Sequence, residues 1–430
     1  MTYQTAIEYA KLTCLPASHE AHWNAFLALP QATLWADDRL CEHRNLFAFS
    51  EELCEEIIRV KHRIEADEVL DTLARFCHWT LFVRVRPYLA DKAGSLLPEI
   101  LGEDKGLFGL VVLVEEALRT LSILPTLEGV DPDYITKNYT SLNNFAIEYK
   151  KEHGVWGINS FSWNCNCVTP YMNRCGHLAF EPVSIEYNYN VYIHKTSGDV
   201  LVLAGDGVNC TEDGLLISHG CPFPQAFSTT VQQNGNITIA HRIDPLGFVE
   251  REPSPHTLEE YDHVIKQWDT LLAFHIPAGP GYTVDATQEA FVKAIEFFNR
   301  VFPDIDIKGI WCYSWLFSPQ LRLIMSEEES EMVRIQQRCY QVPAWRDSGA
   351  YNRFVFKVDG DLTKAELPQN SRLHRRLAAI IQRGGYPTSG GMFVPLSSID
   401  NWSEMRYDDT DSLAVYAANQ PHETADLRVL

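Results

Sequence analysis

Leu53, Ile57, Val60 and Ile64 return every three or four residues through an otherwise charged stretch. That spacing predicts an amphipathic helix with one face turned to a core. Val69, Leu70, Leu73 and Phe76 repeat the pattern after Glu65-Ala66-Asp67, so a second helix follows a short break. Residues 106–124 are apolar on nearly every side and predict a more buried helix, and residues 133–151 predict a fourth. Nothing in this region alternates as a strand pair would. The punctuation from Leu124-Pro125 to Asp131-Pro132, with Gly129 between, places a domain boundary near residue 130.

From Gly154 the period changes. Residues 176–185 and 190–194 predict short strands, and 200–203 follow a Ser197-Gly198-Asp199 turn, a hairpin signal. Residues 229–231 and 237–239 flank Asn234-Gly235, the sequence of a two-residue hairpin turn. After Pro253 and Pro255, strands alternate with helices. Strands are expected at 271–276, 308–314, 354–356 and 392–394. Helices are expected at 285–301, around Leu321 and Val333, and at 371–382. This order predicts an α/β or α+β layer. The organisation expected is a helical domain over 1–130, a mixed domain over 131–400 and a polar, loosely docked tail over 401–430.

Composition narrows the partners. The chain has 57 acidic and 36 basic residues, a formal net charge of −21. A field of that sign repels nucleic acid and anionic lipid, and no Lys/Arg run counters it. The most apolar run, 106–114, is too short to cross ~30 Å of hydrocarbon. The N-terminus lacks a basic segment followed by an apolar one, so neither secretion nor a membrane partner is expected. Eleven cysteines, odd in number and irregularly spaced, suit a reducing compartment, and a cytoplasmic location is expected.

Three clusters carry chemistry. Gly279 and Gly281 lie between the 271–276 strand and the 285–301 helix, with Asp285 the expected N-cap. Such a turn lets backbone amides approach a pyrophosphate, or simply closes the strand. In Ile310-Trp311-Cys312-Tyr313-Ser314, alternation sets Cys312 and Ser314 on one face and Trp311 and Tyr313 on the other. Tyr313 or Cys312 is a candidate acid for a leaving thiolate, or else both are core. Cys165, Cys167, Cys175 and His177 offer soft donors, but not at the Cys-x₂-Cys spacing of a zinc knuckle, and no metal is assigned. Gly384-Gly385 and Ser389-Gly390-Gly391 read as a helix C-cap followed by a turn.

A resemblance adds to this reading. It rests on His275-Ile276-Pro277, Glu296-Phe297-Phe298, Trp311 through Leu321, Arg353-Phe354-Val355-Phe356, Leu367-Pro368, Leu373-His374-Arg375-Arg376-Leu377 and Gly384-Gly385. Together these resemble bacterial proteins built from an N-acyltransferase N-terminal domain and a GNAT-like C-terminal domain. Gly176-His177-Leu178-Ala179-Phe180-Glu181 is similar to that domain's first strand. The resemblance covers most of the chain except about 196–270. It implies an α+β fold: a helical N-terminal domain and a GNAT-like mixed-sheet domain with a β-rich insertion.

In GNAT enzymes acyl-CoA enters between splayed fourth and fifth strands, its pyrophosphate on a Gln/Arg-x-x-Gly-x-Gly/Ala loop. The resemblance makes 271–276 and 309–314 those strands and Ile276-Pro277-Ala278-Gly279-Pro280-Gly281 that loop. Ile276 stands where the family has Gln or Arg, and Pro280 lacks a backbone donor. Acyl-CoA (acetyl-CoA) is then the implied co-substrate, held by Ile276, Ala278, Gly279, Gly281, Tyr282 and Thr283. The implied reaction acylates an amine of a small molecule or peptide. His275, Glu181 or Glu186 is the implied base, and Tyr313 or Cys312, with Ser314 beside them, the acid. The alternative is a non-catalytic binding or regulatory protein on a degenerate GNAT-like fold.

Overall fold

The first two amphipathic stretches form helices that start at polar caps. Ser50 accepts from the Leu53 amide at 3.1 Å and opens the helix Glu51–Glu65, which buries Leu53, Ile57, Val60 and Ile64. Asp67 accepts from the Val69 and Leu70 amides and opens Glu68–His78. The helix Lys105–Ile123, buried almost all round, packs on both. The single helix expected over 133–151 is two, Pro132–Asn138 and Thr140–His153. They meet at Tyr139, whose buried ring stacks on Phe47 and whose hydroxyl donates to the Ala117 carbonyl at 3.2 Å.

The computed structural model describes residues 1–12, 15–30, 33–90, 92, 94–217, 225–277, 279, 281–347, 349–407 and 410–418. The chain forms two units. The first comprises 1–174, 180–182 and 300–302; the second comprises 175–179, 183–299 and 303–430. The boundary expected near 130 falls inside the first unit, which extends through the helix Phe161–Cys167. Among the described residues, no helix is long and apolar enough to cross a membrane.

Strands begin with β1 (Asn173–Cys175) and β2 (Leu178–Ser184). Short strands follow: β3 (Tyr189–His194), β4 (Val200–Ala204), β5 (Asn209–Cys210), β6 (Phe227–Ser228), β7 (Gln232–Asn234) and β8 (Ile237–Ala240). Next come β9 (Arg242–Ile243), β10 (Ser254–Thr257) and β11 (Tyr261–Ile265). The last four are β12 (Thr270–His275), β13 (Ile307–Ser314), β14 (Tyr340–Arg346) and β15 (Thr388–Pro395). The largest sheet runs β1-β2-β12-β13-β15-β14, while β11-β3-β4-β9, β10-β8-β7 and β5-β6 form smaller antiparallel sheets. β12 and β13 are parallel neighbours joined by the helix Val284–Val301, as the sequence leads one to expect.

Other expectations change. Residues 354–356 form no strand. They end a π-helical turn, Tyr351–Phe356, in which Tyr351, Val355 and Phe356 reach the core while Phe354 is exposed. A three-residue apolar run has no period of its own to separate helix from strand. β14 is not among the expected strands; it contains Pro343, and the structure puts it at the end of the sheet, where a missing donor is tolerated. The hairpin turn is Gly235-Asn236, one residue later than expected, since Asn234 pairs with Ile237. Part of the polar tail is a helix, Thr410–Ala418, which buries Tyr416 against Phe248; residues 408–409 and 419–430 lie outside the described residues.

Gly384, with φ +87°, caps the helix Arg372–Gln382 as expected, but Ser389-Gly390-Gly391 is no turn. These residues sit in mid-strand in β15, opposite Tyr313 and Ser314. A Cβ on Gly390 would collide with the Phe317 carbonyl, so glycine here permits close backbone approach. Gly390→Ala is expected to lower stability by about 1–3 kcal/mol, the usual cost of overpacking. The denaturation midpoint measures it, and an unchanged midpoint would show that the close approach is not needed.

Candidate functional site

The ladder between β12 and β13 ends at Ala273 opposite Trp311, although the strands continue to His275 and Ser314. In the gap, the Cys312 thiol donates to the Phe274 carbonyl at 3.3 Å. Burial pushes the Cys312 pKa up, so at neutral pH it is a thiol and no nucleophile. On its other side β13 stays paired with β15 as far as Ser314 and Gly390.

The expected alternation along β13 holds. Trp311 and Tyr313 lie against Tyr187, and the Tyr313 ring stacks on Trp345 with centroids 3.9 Å apart. Burial also raises the Tyr313 pKa, and its hydroxyl donates to the Ser389 carbonyl at 2.9 Å, while the Ser389 hydroxyl donates to Asp347. Ser314 accepts from the Leu316 amide at 3.2 Å and opens the turn Trp315–Phe317. Two acid candidates and Ser314 therefore have structural hydrogen bonds already.

At the end of β12 and just past it, His275 and Ile276 are half-buried. Gly279 and Gly281 have φ of +129° and +109°, a region L-residues rarely adopt. Among the described residues, nothing lies within 4 Å of a Cβ built on Gly279, and one on Gly281 meets only the His177 Cβ at 3.9 Å. This stretch of backbone is open to a ligand. Ala278 and Pro280 lie outside the described residues.

Thr283, rather than Asp285, is the N-cap. Its hydroxyl accepts from the Ala286 amide at 3.3 Å and its carbonyl from the Thr287 amide at 3.0 Å. The Val284 amide is taken as well, donating to the Glu331 carboxylate at 3.3 Å. The site thus presents fewer free amides than its glycines alone suggest.

Tyr282 is the exception among these groups. Its ring is partly exposed, yet its hydroxyl is buried and has no hydrogen-bond partner among the described residues. Burial raises its pKa well above the usual tyrosine value, and the Cys312 and Cys339 thiols add to the shift. An orphaned buried hydroxyl costs ~1–3 kcal/mol and calls for an explanation.

The remaining candidates are dispersed. Glu181 belongs to the first unit, where it is buried and accepts from the Asn166 side chain at 3.0 Å. Glu186 is exposed beyond the end of β2. Cys165 and Cys167 are buried in the helix Phe161–Cys167, with pKa values pushed up to about 12 by burial. Among the described residues no group of three or more His, Cys, Asp or Glu is placed to hold a metal ion. Sequence spacing offers no signal for the roles of Glu331, Ser389 and Asp347, because their partners lie 42 to 76 residues away.

A mixed sheet whose central parallel pair unzips before its strands end, headed by an open glycine loop and a capped helix, has the GNAT-like arrangement that the resemblance implies. The sequence profile described as the GNAT-like C-terminal domain matches residues 172–393, and the chain belongs to that family. It is also similar to a solved acyltransferase in complex with decanoyl-CoA, at 17% identity and a TM-score of 0.56. An acyltransferase with decanoyl-CoA and teicoplanin, and an acyltransferase mutant with octanoyl-CoA, each share 18% identity with a TM-score of 0.53. Each likeness covers 92% of this chain and 100% of the other, so the fold is shared across the helical region as well as the sheet. No curated protein matches the chain.

Proposed function

We propose that this protein is an acyl-CoA-dependent acyltransferase that transfers an acyl group to an amine of a small molecule or peptide. The observation that carries the reading is the ladder between β12 and β13, which ends at Ala273 and Trp311 beside the open backbone of Gly279 and Gly281. Solved structures of this fold hold octanoyl-CoA and decanoyl-CoA, which supports an acyl-CoA donor. One of them also holds teicoplanin, which supports a small-molecule or peptide acceptor. The irregular cysteines support a reducing, cytoplasmic setting.

In this reading the loop Ile276–Thr283 receives the donor's pyrophosphate, with Gly279 and Gly281 admitting it to the backbone. An arriving phosphate displaces Glu331 from the Val284 amide, since two anions do not share one donor. The acceptor nitrogen attacks the thioester carbonyl, and its proton passes to His275 at the end of β12. The C–S bond then breaks, and Tyr282 gives its proton to the departing thiolate. Tyr282 is preferred to Tyr313 and Cys312 because their protons already go to the Ser389 and Phe274 carbonyls.

Ile276 in the family's Gln/Arg position and Glu331 on the Val284 amide favour the second reading, a non-catalytic binding protein. Thiol release from acetyl-, octanoyl- and decanoyl-CoA across an amine panel, with calorimetric CoA titration, separates the two. Binding with turnover is expected. Absence of CoA binding would overturn the proposal, and binding without turnover would favour the second reading.

A further inference from the structure

The helix Glu68–His78 does not end at a cap. It runs into a π-helical turn, Trp79–Val83, closed by the Arg84 amide donating to the Trp79 carbonyl at 2.8 Å. Such widened turns re-aim the chain that follows and recur at functional sites. Here they deliver Arg84 and Arg86 to a cleft of about 420 Å³ that lies within the first unit. Arg119, from the helix Lys105–Ile123, completes a trio of guanidiniums. No carboxylate is among the described residues that line the cleft, in a chain whose formal net charge is −21.

The three arginines are set up differently. Arg119 is fixed from behind by the fully buried Glu116, through two hydrogen bonds of 2.7 Å, and Glu116 also meets His78 at 3.1 Å. Arg86 and Arg119 both act on the Tyr171 phenol at the cleft wall, opposing the rise that burial causes in its pKa. The Arg84 side chain has no hydrogen bond or ion pair among the described residues, and its Nε is buried without a partner there. A buried, charged donor left unsatisfied is costly, and an anion in the cleft that Arg84 lines gives its guanidinium a charged acceptor. Phe82, Ile123 and Pro170 give the same cleft apolar walls.

We propose that this cleft binds a phosphate monoester carried on an apolar or aromatic body. Several guanidinium forks suit a tetrahedral dianion better than a single planar carboxylate, and a concave wall focuses their field. The phosphate has two possible sources, the 3′-phosphate of a CoA donor or a separate phosphorylated ligand. The first source rests on the acyltransferase reading; the cleft itself does not.

Calorimetric titration of the full chain with phenyl phosphate tests the proposal. The wild type is expected to bind it, and to bind benzoate at least tenfold more weakly. Arg84→Gln is expected to weaken phenyl phosphate binding at least tenfold without lowering the melting temperature, because an unsatisfied donor is removed. If Arg84→Gln does not fold, Arg86→Gln is titrated in its place, with the same loss expected. Displacement by CoA but not by 3′-dephospho-CoA supports the cleft as the donor's phosphate site. Indifference to both supports it as the site of a separate phosphorylated ligand. A wild type that does not bind phenyl phosphate, or equal binding by wild type and arginine variants, overturns the proposal whatever the thiol-release assay reports.

Discussion

Tyr282→Phe is expected to reduce kcat by ~10²–10⁴-fold, the range lost with a positioned general acid, while the KM for acyl-CoA changes little. The substitution keeps the ring, whose centroid lies 6.1 Å from that of His177, and removes only a buried hydroxyl without a partner among the described residues. Folding stability is therefore expected to hold or rise slightly, since no hydrogen bond is lost. That pairing separates proton transfer from a structural role. Because burial raises the Tyr282 pKa above its ordinary value of 10.0, the phenol keeps its proton through the neutral range and yields it only as pH rises through that raised value. Below pH ~10 the profile of kcat is thus expected to show no falling limb from this group. Steady-state kinetics on both proteins decides the matter, and an unchanged kcat would remove Tyr282 from the mechanism.

Phe76→Ala is expected to destabilise the first unit by about 3–5 kcal/mol, the cost of deleting a large buried side chain and leaving a cavity. Phe76 is fully buried, and its ring meets Tyr3, Trp23, Phe26 and Trp79 at centroid distances of 5.9, 4.8, 5.4 and 6.5 Å. These partners come from three segments, the helices Tyr3–Ala10 and Trp23–Leu27 and the turn Trp79–Val83, so collapse into the space requires several elements to move together. Tryptophan fluorescence during denaturation, sensitive here to Trp23 and Trp79, reads the loss. Two units need not unfold as one, so far-UV dichroism should be followed alongside it. A loss below ~1 kcal/mol would mean that the cluster relaxes around the gap.

Most of the architecture was legible in the sequence because its signals are local. The 3.6-residue period and polar caps located the helices at Glu51–Glu65, Glu68–His78 and Val284–Val301, and the strands on either side of the last one emerged nearly intact. Resemblance then supplied the fold's type, which periodicity alone left open between α/β and α+β. At the candidate site, alternation correctly separated Cys312 and Ser314 from Trp311 and Tyr313.

By itself, then, the sequence determined which segments coil, which extend, and that a glycine loop stands between a strand and a helix. Those properties depend on neighbours a few residues away. Tertiary structure alone decided which polar groups were already occupied. It gave the Cys312 thiol to Phe274, 38 residues back, the Tyr313 hydroxyl to Ser389, 76 residues on, and the Val284 amide to Glu331, 47 residues on. It also made Ser389-Gly390-Gly391 part of a buried strand and left Tyr282 and Arg84 with buried donors unmatched among the described residues. The physical reason is that a hydrogen bond or a close backbone approach is fixed by what the fold brings alongside, and no periodicity in the chain encodes that partner.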